Sequence, residues 1–482
     1  MNGVTKHVDA MIHDPMVVIR LFACLVGGLV WLGAALASAH GINGHVHVTG
    51  WAVEHLPPGP LADFLSEPEV FDALLLGATF PDSGYAIEDD YGELAHWPPF
   101  AEGCLADLRA RYPLPWDTLV ARKHAAFVMG IALHGLQDEI FDTLFLRQVE
   151  RHDGRGQDDT DPGLDGFLYT DGHLRFSPEY YVPAEILAEV FAEVHGHIVS
   201  RATIEAGVTR VKLIVIDAFG GIGPRLDEVH RPRIPWAAAH YLDPDVPGSL
   251  RSEIPATMAF LAALWDRTHG TWAQGPPVAY TSPSPPRRLR SAAPDGVDHW
   301  ITLVLGAAVR AGTLTPERVR LVDGLGQAVP IRVRASRWAR DATSGTRLVV
   351  LEPLDALAYD AIYGVELHPG LEFFNGATPP IWRATFRTPC AVEAPCDDPD
   401  VGVLSIDPPP DAAPSDGGAP NVAGGRDAIA LAAETGPSRS GASDPAPETG
   451  CSAGGAGDAA PWVGLLLLLV CGRARGRASH RR

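Results

Sequence analysis

Ala125–Leu146 reads AAFVMGIALHGLQDEIFDTLFL, a run that is apolar nearly throughout. Its breaks are His134, Asp138, Asp142 and their neighbours Gln137 and Glu139. A stretch this long and this apolar predicts a buried helix. His134, Asp138 and Asp142 are spaced i, i+4, i+8, so each lies about 40° round and about 6 Å along from the last, in one stripe. A buried carboxylate costs several kcal/mol unless it is paired or bound to a cation. The run holds no lysine or arginine, which leaves a metal as the natural partner. A water-filled polar seam inside a helix bundle would show the same stripe, and from these residues alone both readings stay open.

The whole chain has 482 residues, 46% of them hydrophobic, enough for about three domains with real cores. Lys plus Arg is 38 against 59 for Asp plus Glu, a net charge of −21. That balance repels nucleic acid phosphate, so no stable nucleic acid partner is expected. Six cysteines without a CxxC pair exclude a disulfide scaffold and a zinc ribbon.

Both ends read as addresses. Arg20–Ala39 has a basic residue, an apolar run and an A-x-A end, so residues 1–39 are expected to be a signal peptide cleaved before His40. At the other end, Cys451 is followed by the short apolar run Trp462–Cys471 and five arginines from Arg473 to Arg482. About 20 apolar residues are needed to span a bilayer, and this run is too short. The order resembles a myxobacterial-type C-terminal sorting tail, so 451–482 is expected to stay membrane-associated until processed. The protein is expected to be exported, at the cell surface or outside the cell.

Between the ends, residues 40–270 carry apolar residues at three- and four-residue spacing, as in Ala184–Val194 and Ile254–Trp265, and are expected to be helical. Residues 271–296 are Pro/Ser-rich and read as a linker. Residues 297–389 hold short β-branched runs, Ile301–Leu305, Arg318–Val322, Ile331–Arg334, Arg347–Leu351 and Tyr363–Leu367, and predict a small β-sandwich. Its Val319–Gly326 and Leu351–Leu367 segments resemble bacterial Ig-like domains. Cys390 and Cys396 are expected to form a local disulfide in an exported protein. Residues 390–450 are Pro/Gly/Ala-rich and read as a disordered stalk.

Other segments add candidate ligands to the stripe. His40 and His45 stand just after the expected cleavage site, Asp82 ends Gly77-Ala-Thr-Phe-Pro-Asp, and His96 opens His96-Trp-Pro-Pro-Phe. Asp158-Asp-Thr-Asp-Pro-Gly-Leu-Asp165 offers further carboxylates. Singly, each has a plain explanation: a helix cap for Asp82, a core histidine for His96, a solvated loop for the acidic run. His47 and His55 read as surface or core histidines, His195 and His197 as flanking a helix end where cations are favourable, without a chemical role, and Cys104 as a buried apolar residue.

The order of these motifs, with Tyr112-Pro-Leu-Pro-Trp116, Gly130-Ile-x-x-His134-x-x-x-Asp138 and Tyr181-Val-Pro183, resembles the zinc-dependent phospholipase C superfamily, which includes single-strand-specific nucleases. Within it, the likeness is to the N-terminal catalytic domain of glycosylphosphatidylinositol-specific phospholipase D. The resemblance covers residues 40–270 and implies an all-α domain, here followed by the Ig-like sandwich. It implies a first metal held by Asp82, His96, His134 and Asp138. Asp138 would bridge to a second metal bound by His45 and by the amine and carbonyl of His40. That amine ligates only once cleavage frees it and it is deprotonated. Asp82 would be the catalytic carboxylate that helps activate the attacking water.

A third metal site departs from the family pattern. Asp142 and Asp161 stand where histidines are usual and Asp165 at the usual carboxylate, an all-carboxylate set that favours Ca2+ or Mg2+, or a weakly held Zn2+, or stays empty. Two or three ions are therefore expected. The implied function is a metal-dependent phosphodiester hydrolase acting on phospholipid or glycosylphosphatidylinositol-like lipid at a membrane surface. A single-strand nuclease is the first alternative. The other is a non-catalytic, metal-stabilised protein whose sandwich binds a surface partner.

Overall fold

A computed structural model describes residues 41–272, 276–284, 287–294 and 296–391. The expected signal peptide, His40, Cys396, nearly all of the stalk and the sorting tail lie outside the described residues.

Helices fill the first half of the described chain. Proline opens α2 (Pro60–Leu65), α3 (Pro68–Gly77) and α6 (Pro98–Arg111), where its missing N–H has no intrahelical partner to lose. Before them stands α1 (Ile42–Glu54), and between α3 and α6 lie α4 (Phe80–Tyr85) and α5 (Tyr91–Ala95). The run that opened the reading is α7 (Leu119–Ile140), capped by the Thr118 hydroxyl, which accepts from the Ala121 N–H at 3.2 Å. It is buried from His124 to Ile140 without a break. A π-helical turn, Phe141–Phe145, then joins it to α8 (Leu146–His152). Asp142 therefore stands on a wider turn, off the α-helical continuation of His134 and Asp138.

Next come α9 (Gln157–Thr170), α10 (Ala184–His195), α11 (Arg201–Arg210), α12 (Gly223–His230), α13 (Pro235–His240) and α14 (Ile254–Thr268). The acidic run 158–165 is thus not a solvated loop; it opens α9, where Asp158 and Asp159 favour the helix dipole.

Helices α3 and α7 cross backbone to backbone. A Cβ on Gly77 would sit 2.1 Å from the Phe127 carbonyl oxygen, and one on Gly130 would sit 2.2 Å from that of Leu74. Only glycine permits that approach, and it brings the segment ahead of Asp82 against the half of α7 that carries His134 and Asp138.

The second part is two four-stranded antiparallel sheets. One runs β1 (Val278–Ser282), β2 (Ile301–Arg310), β6 (Gly345–Pro353), β5 (Ile331–Ala335); the other runs β4 (Ala328–Val329), β3 (Val319–Asp323), β7 (Ile362–Leu367), β8 (Trp382–Arg387). The Pro/Ser-rich stretch read as linker therefore holds a strand, because Val278–Ser282 has β2 to pair with. Leu303, Leu305, Val349 and Leu351 face the core shared with Leu321, Val365 and Phe386 of the other sheet. Their alternates Val304, Leu348 and Val350 join the core of the helices. Strands β2 and β6 are buried on both faces, hence their unbroken apolar character. Cys390, just beyond β8, is disulfide-bonded.

Candidate metal centre

Five side chains from four helical elements meet in the buried interior. His45 lies on α1, Asp82 on α4, His96 just past α5, and His134 and Asp138 one turn apart on α7. Each imidazole is held from behind through Nδ1: His45 to Gln137 Oε1 at 2.8 Å, His96 to the Gly92 carbonyl at 2.6 Å, His134 to the Ala78 carbonyl at 2.8 Å. A carbonyl only accepts, so the proton sits on Nδ1 and Nε2 turns inward. Such anchoring from behind is what metal-ligating histidines need to fix their tautomer. Gln137 is itself oriented by Thr49, to whose Oγ1 its Nε2 donates at 3.0 Å.

The three Nε2 atoms face two carboxylates. His45 Nε2 lies 3.1 Å from Oδ1 of Asp138, whereas His134 and His96 lie 3.2 and 3.7 Å from Oδ2. Asp82 Oδ1 is 3.3 Å from His96 Nε2 and 3.9 Å from His134 Nε2. The His45 and His134 rings stack with centroids 3.9 Å apart. Burial pushes both carboxyls up, but facing imidazoles outweigh it: His134 and His45 hold Asp138 well below its ordinary range, and His134 and His96 lower Asp82. Burial lowers His45 and His96, and is outweighed by Asp138 and Asp82 respectively, so both end raised. His134 ends lowered, by burial and by His45 beside it.

Both oxygens of Asp82, Oδ1 of Asp138 and Nε2 of His134 are buried without a partner in hydrogen-bonding geometry. Two groups, His45–Asp82–His134 and His96–His134–Asp138, each bring their ligand atoms within 4.8 Å of one another. Imidazole nitrogen with carboxylate oxygen is a donor set suited to zinc. The residues fit a divalent cation.

The carboxylates of the expected third site are arranged differently. Asp165 accepts the N–H groups of Asn43 at 3.3 Å and Gly44 at 3.2 Å, so it caps α1 from a distant helix. Burial pushes its pKa up to about 7. A Cβ on Gly41 would meet Asp165 Oδ1 at 2.5 Å, and Gly41 has φ +70, so glycine is required where the chain enters α1. Asp142 Oδ2 accepts the indole N–H of Trp338, a residue of the β part. Asp161 is fully buried, and burial followed by Asp142 pushes its carboxyl well up. Asp142, Asp161 and Asp165 do not converge as one ligand group among the described residues.

Sequence reasoning missed several contributors. Glu253, just before α14, is buried, and burial, Asp138 and Asp142 raise its carboxyl. Trp338 and Arg340 join His96, Trp97 and Asp138 in lining a cavity of about 250 Å³ beside this cluster. The two β-domain residues carry no local signal, whereas Gln137 stood visibly in the stripe. His47 proves a satisfied core histidine: its Nδ1 donates to the Asn43 carbonyl and its Nε2 accepts the Arg175 N–H. Cys104 is buried and free.

No family model matches the chain. Phosphatidylinositol-glycan-specific phospholipase D of Bos taurus is 29% identical over 184 residues, 34% of this chain and 22% of that protein. The Homo sapiens enzyme of that name is 26% identical over 193 residues, 35% of this chain and 23% of that one. The Rattus norvegicus enzyme is 25% identical over 198 residues, with 35% and 23% covered. The match thus spans less than a quarter of these relatives' length, and it supports a distant phospholipase-like relationship. Among solved structures, an S-layer protein crystal structure is 10% identical over 68% of this chain and 46% of that one, with a TM-score of 0.19, which carries no argument. Among the described residues no helix is long and apolar enough to cross a membrane.

Proposed function

We propose that the protein is a metal-dependent phosphodiester hydrolase acting on phospholipid or phosphatidylinositol-glycan-like lipid. One observation carries this reading: the two oxygens of Asp138 face different imidazoles, His45 on one side and His96 with His134 on the other. A carboxylate so divided can serve two cations at once. Distant homology to phosphatidylinositol-glycan-specific phospholipase D supports the lipid substrate.

In this reading His96, His134, Asp82 and Asp138 would hold one zinc, and His45 with Asp138 would hold a second, for which His40, outside the described residues, would supply its amine. Zinc held there supplies Lewis acidity toward a water and a phosphate oxygen. Asp82, whose Oδ1 faces His96 and His134, would be the carboxylate beside that water able to take up its proton. Gln137, Gly92 and Ala78 keep the imidazoles aimed. Asp142 and Asp165, engaged by Trp338 and by α1, favour two ions over three.

The same proposal has the protein exported by residues 1–39 and held at the surface by 451–482. It takes 40–270 as the catalytic domain and the β part as Ig-like. The strand orders β1-β2-β6-β5 and β4-β3-β7-β8 support that last point, matching the A-B-E-D and C′-C-F-G sheets of immunoglobulin-type sandwiches.

The test offers zinc-loaded, N-terminally trimmed protein phosphatidylcholine vesicles, a phosphatidylinositol-glycan-anchored protein and single-stranded DNA in parallel. Lipid cleavage by the wild type that Asp82→Asn abolishes even at saturating zinc, with the fold kept, is the expected result. Preference for DNA would make it a nuclease, and turnover of nothing by the wild type would leave the ions a structural role.

A further inference from the structure

The loop 336–344, between β5 and β6, reaches back onto the helical part. The Arg337 N–H donates to Thr143 Oγ1 at 3.0 Å and its guanidinium to Glu150 at 2.8 Å. The Trp338 indole N–H donates to Asp142, and its ring lies 5.9 Å from that of Trp97. These contacts seat the loop on the π turn that follows Asp138. Two residues further, Arg340 enters the lining of the 250 Å³ cavity that His96 and Asp138 also line.

Arg340 is the one lysine or arginine among the residues lining that cavity. Of the acids there, Asp138 is engaged by imidazoles and Glu139 by Arg347. Glu93 accepts the Tyr85 hydroxyl at 2.7 Å and stands 3.6 Å from Arg340. That last distance exceeds the 2.7–2.9 Å or so of a charge-assisted hydrogen bond. Both partners are exposed, 66% for Arg340 and 44% for Glu93, so the pair is weak and easily exchanged. The guanidinium rests over the Trp97 ring, 5.7 Å from its centroid, which keeps it at the cavity mouth.

We propose that Arg340 is a substrate-binding residue, donated by the β domain to the catalytic pocket, which takes the phosphate anion of the diester. The inference rests on the phosphodiesterase reading above. A planar guanidinium offers a phosphate two parallel N–H donors, and here it exchanges a loose surface carboxylate for them. In a chain of net charge −21 a cation at the mouth also gives an anionic substrate its local attraction. Trp338 acts as a positioning residue that pins the loop through Asp142.

The test uses the full zinc-loaded chain with Arg340→Ala and Arg340→Lys. Calorimetric titration with inorganic phosphate is read beside KM and kcat on phosphatidylcholine vesicles. Arg340→Ala should weaken phosphate binding and raise KM about tenfold, the loss of one or two charge-assisted hydrogen bonds, with kcat, zinc content and melting temperature held. Arg340→Lys should recover part of the loss. Phosphate affinity and KM within about twofold of wild type in Arg340→Ala would overturn the inference while leaving the enzyme reading intact. Wild type that holds zinc and binds phosphate but cleaves no diester would overturn the function instead, with the phosphate titration still deciding Arg340. Wild type that binds no phosphate would end the Arg340 proposal outright.

Discussion

The carboxylate of Glu139 lies beneath the start of β6 and is held there by Arg347. Its Oε1 receives the Arg347 guanidinium at 3.1 Å. Its Oε2 receives the backbone N–H groups of Arg347 at 2.6 Å and Leu348 at 2.8 Å and the Thr346 hydroxyl at 3.0 Å. Both residues are almost wholly buried. Burial pushes the Glu139 carboxyl up, with Arg347 and the N–H donors pulling against it. Because Glu139 directly follows Asp138, this joint ties the Asp138 end of α7 to the β domain.

Removing the Glu139 charge leaves Arg347 buried without a counter-ion. Glu139→Gln should cost about 3–5 kcal/mol of stability in urea denaturation. Arg347→Met should cost less, because Glu139 keeps three other donors and can take up a proton. The reverse order would show that the cation, not the carboxylate, carries the joint.

Zinc should behave as a folding ligand. A cation that binds only the folded chain stabilises it by about 4 kcal/mol at a thousand times its Kd, so a chelator should lower Tm and zinc restore it. Elemental analysis should find two zinc ions per trimmed chain. Asp138→Asn should lose more zinc than any single histidine variant, since the two oxygens of Asp138 face different imidazoles.

Gly130→Ala pits helix propensity against contact. Alanine gains up to about 1 kcal/mol as a helix former. Its Cβ would stand 2.2 Å from the Leu74 carbonyl oxygen, so α3 and α7 must separate. We expect a net loss of about 1–3 kcal/mol, as for other overpacked cores, and weaker zinc binding as Asp82 moves away from His134. Unchanged Tm would mean that the crossing can open freely.

His124 sets an acid limit on the fold. It is buried beside Tyr112, its pKa lowered to about 4 by burial, which Asp107 only partly offsets. Unfolding restores an ordinary value near 6.5, so the unfolded chain binds the extra proton. Stability is therefore complete above about pH 6.5 and falls as pH drops towards 4, by about 3 kcal/mol in all from this residue. His124→Phe should flatten that part of the pH–stability curve in denaturant titrations. A curve as steep as that of the wild type would show that His124 is not its source.

The stripe on α7 was legible because helical period is local: His134 and Asp138 face the same way whatever surrounds them. The motif order placed His45, Asp82 and His96 with them, and the structure brings all five together. Asp142 shares the spacing but stands on the π turn, and what its Oδ2 meets, Trp338, stands 196 residues away. Asp165, a ligand candidate by position, also caps α1, a contact visible only once α1 and α9 are side by side. The strand Val278–Ser282 was masked by prolines around it and declared itself only through pairing with β2.

Which residues could bind a cation was thus written in the sequence, because ligand chemistry and helical spacing are properties of short segments. Which carboxylates stay available for one, and that Arg340 and Trp338 complete the pocket, only the tertiary structure decided. Those outcomes depend on competition among donors brought together from far along the chain, and no local pattern records who reaches a buried oxygen first.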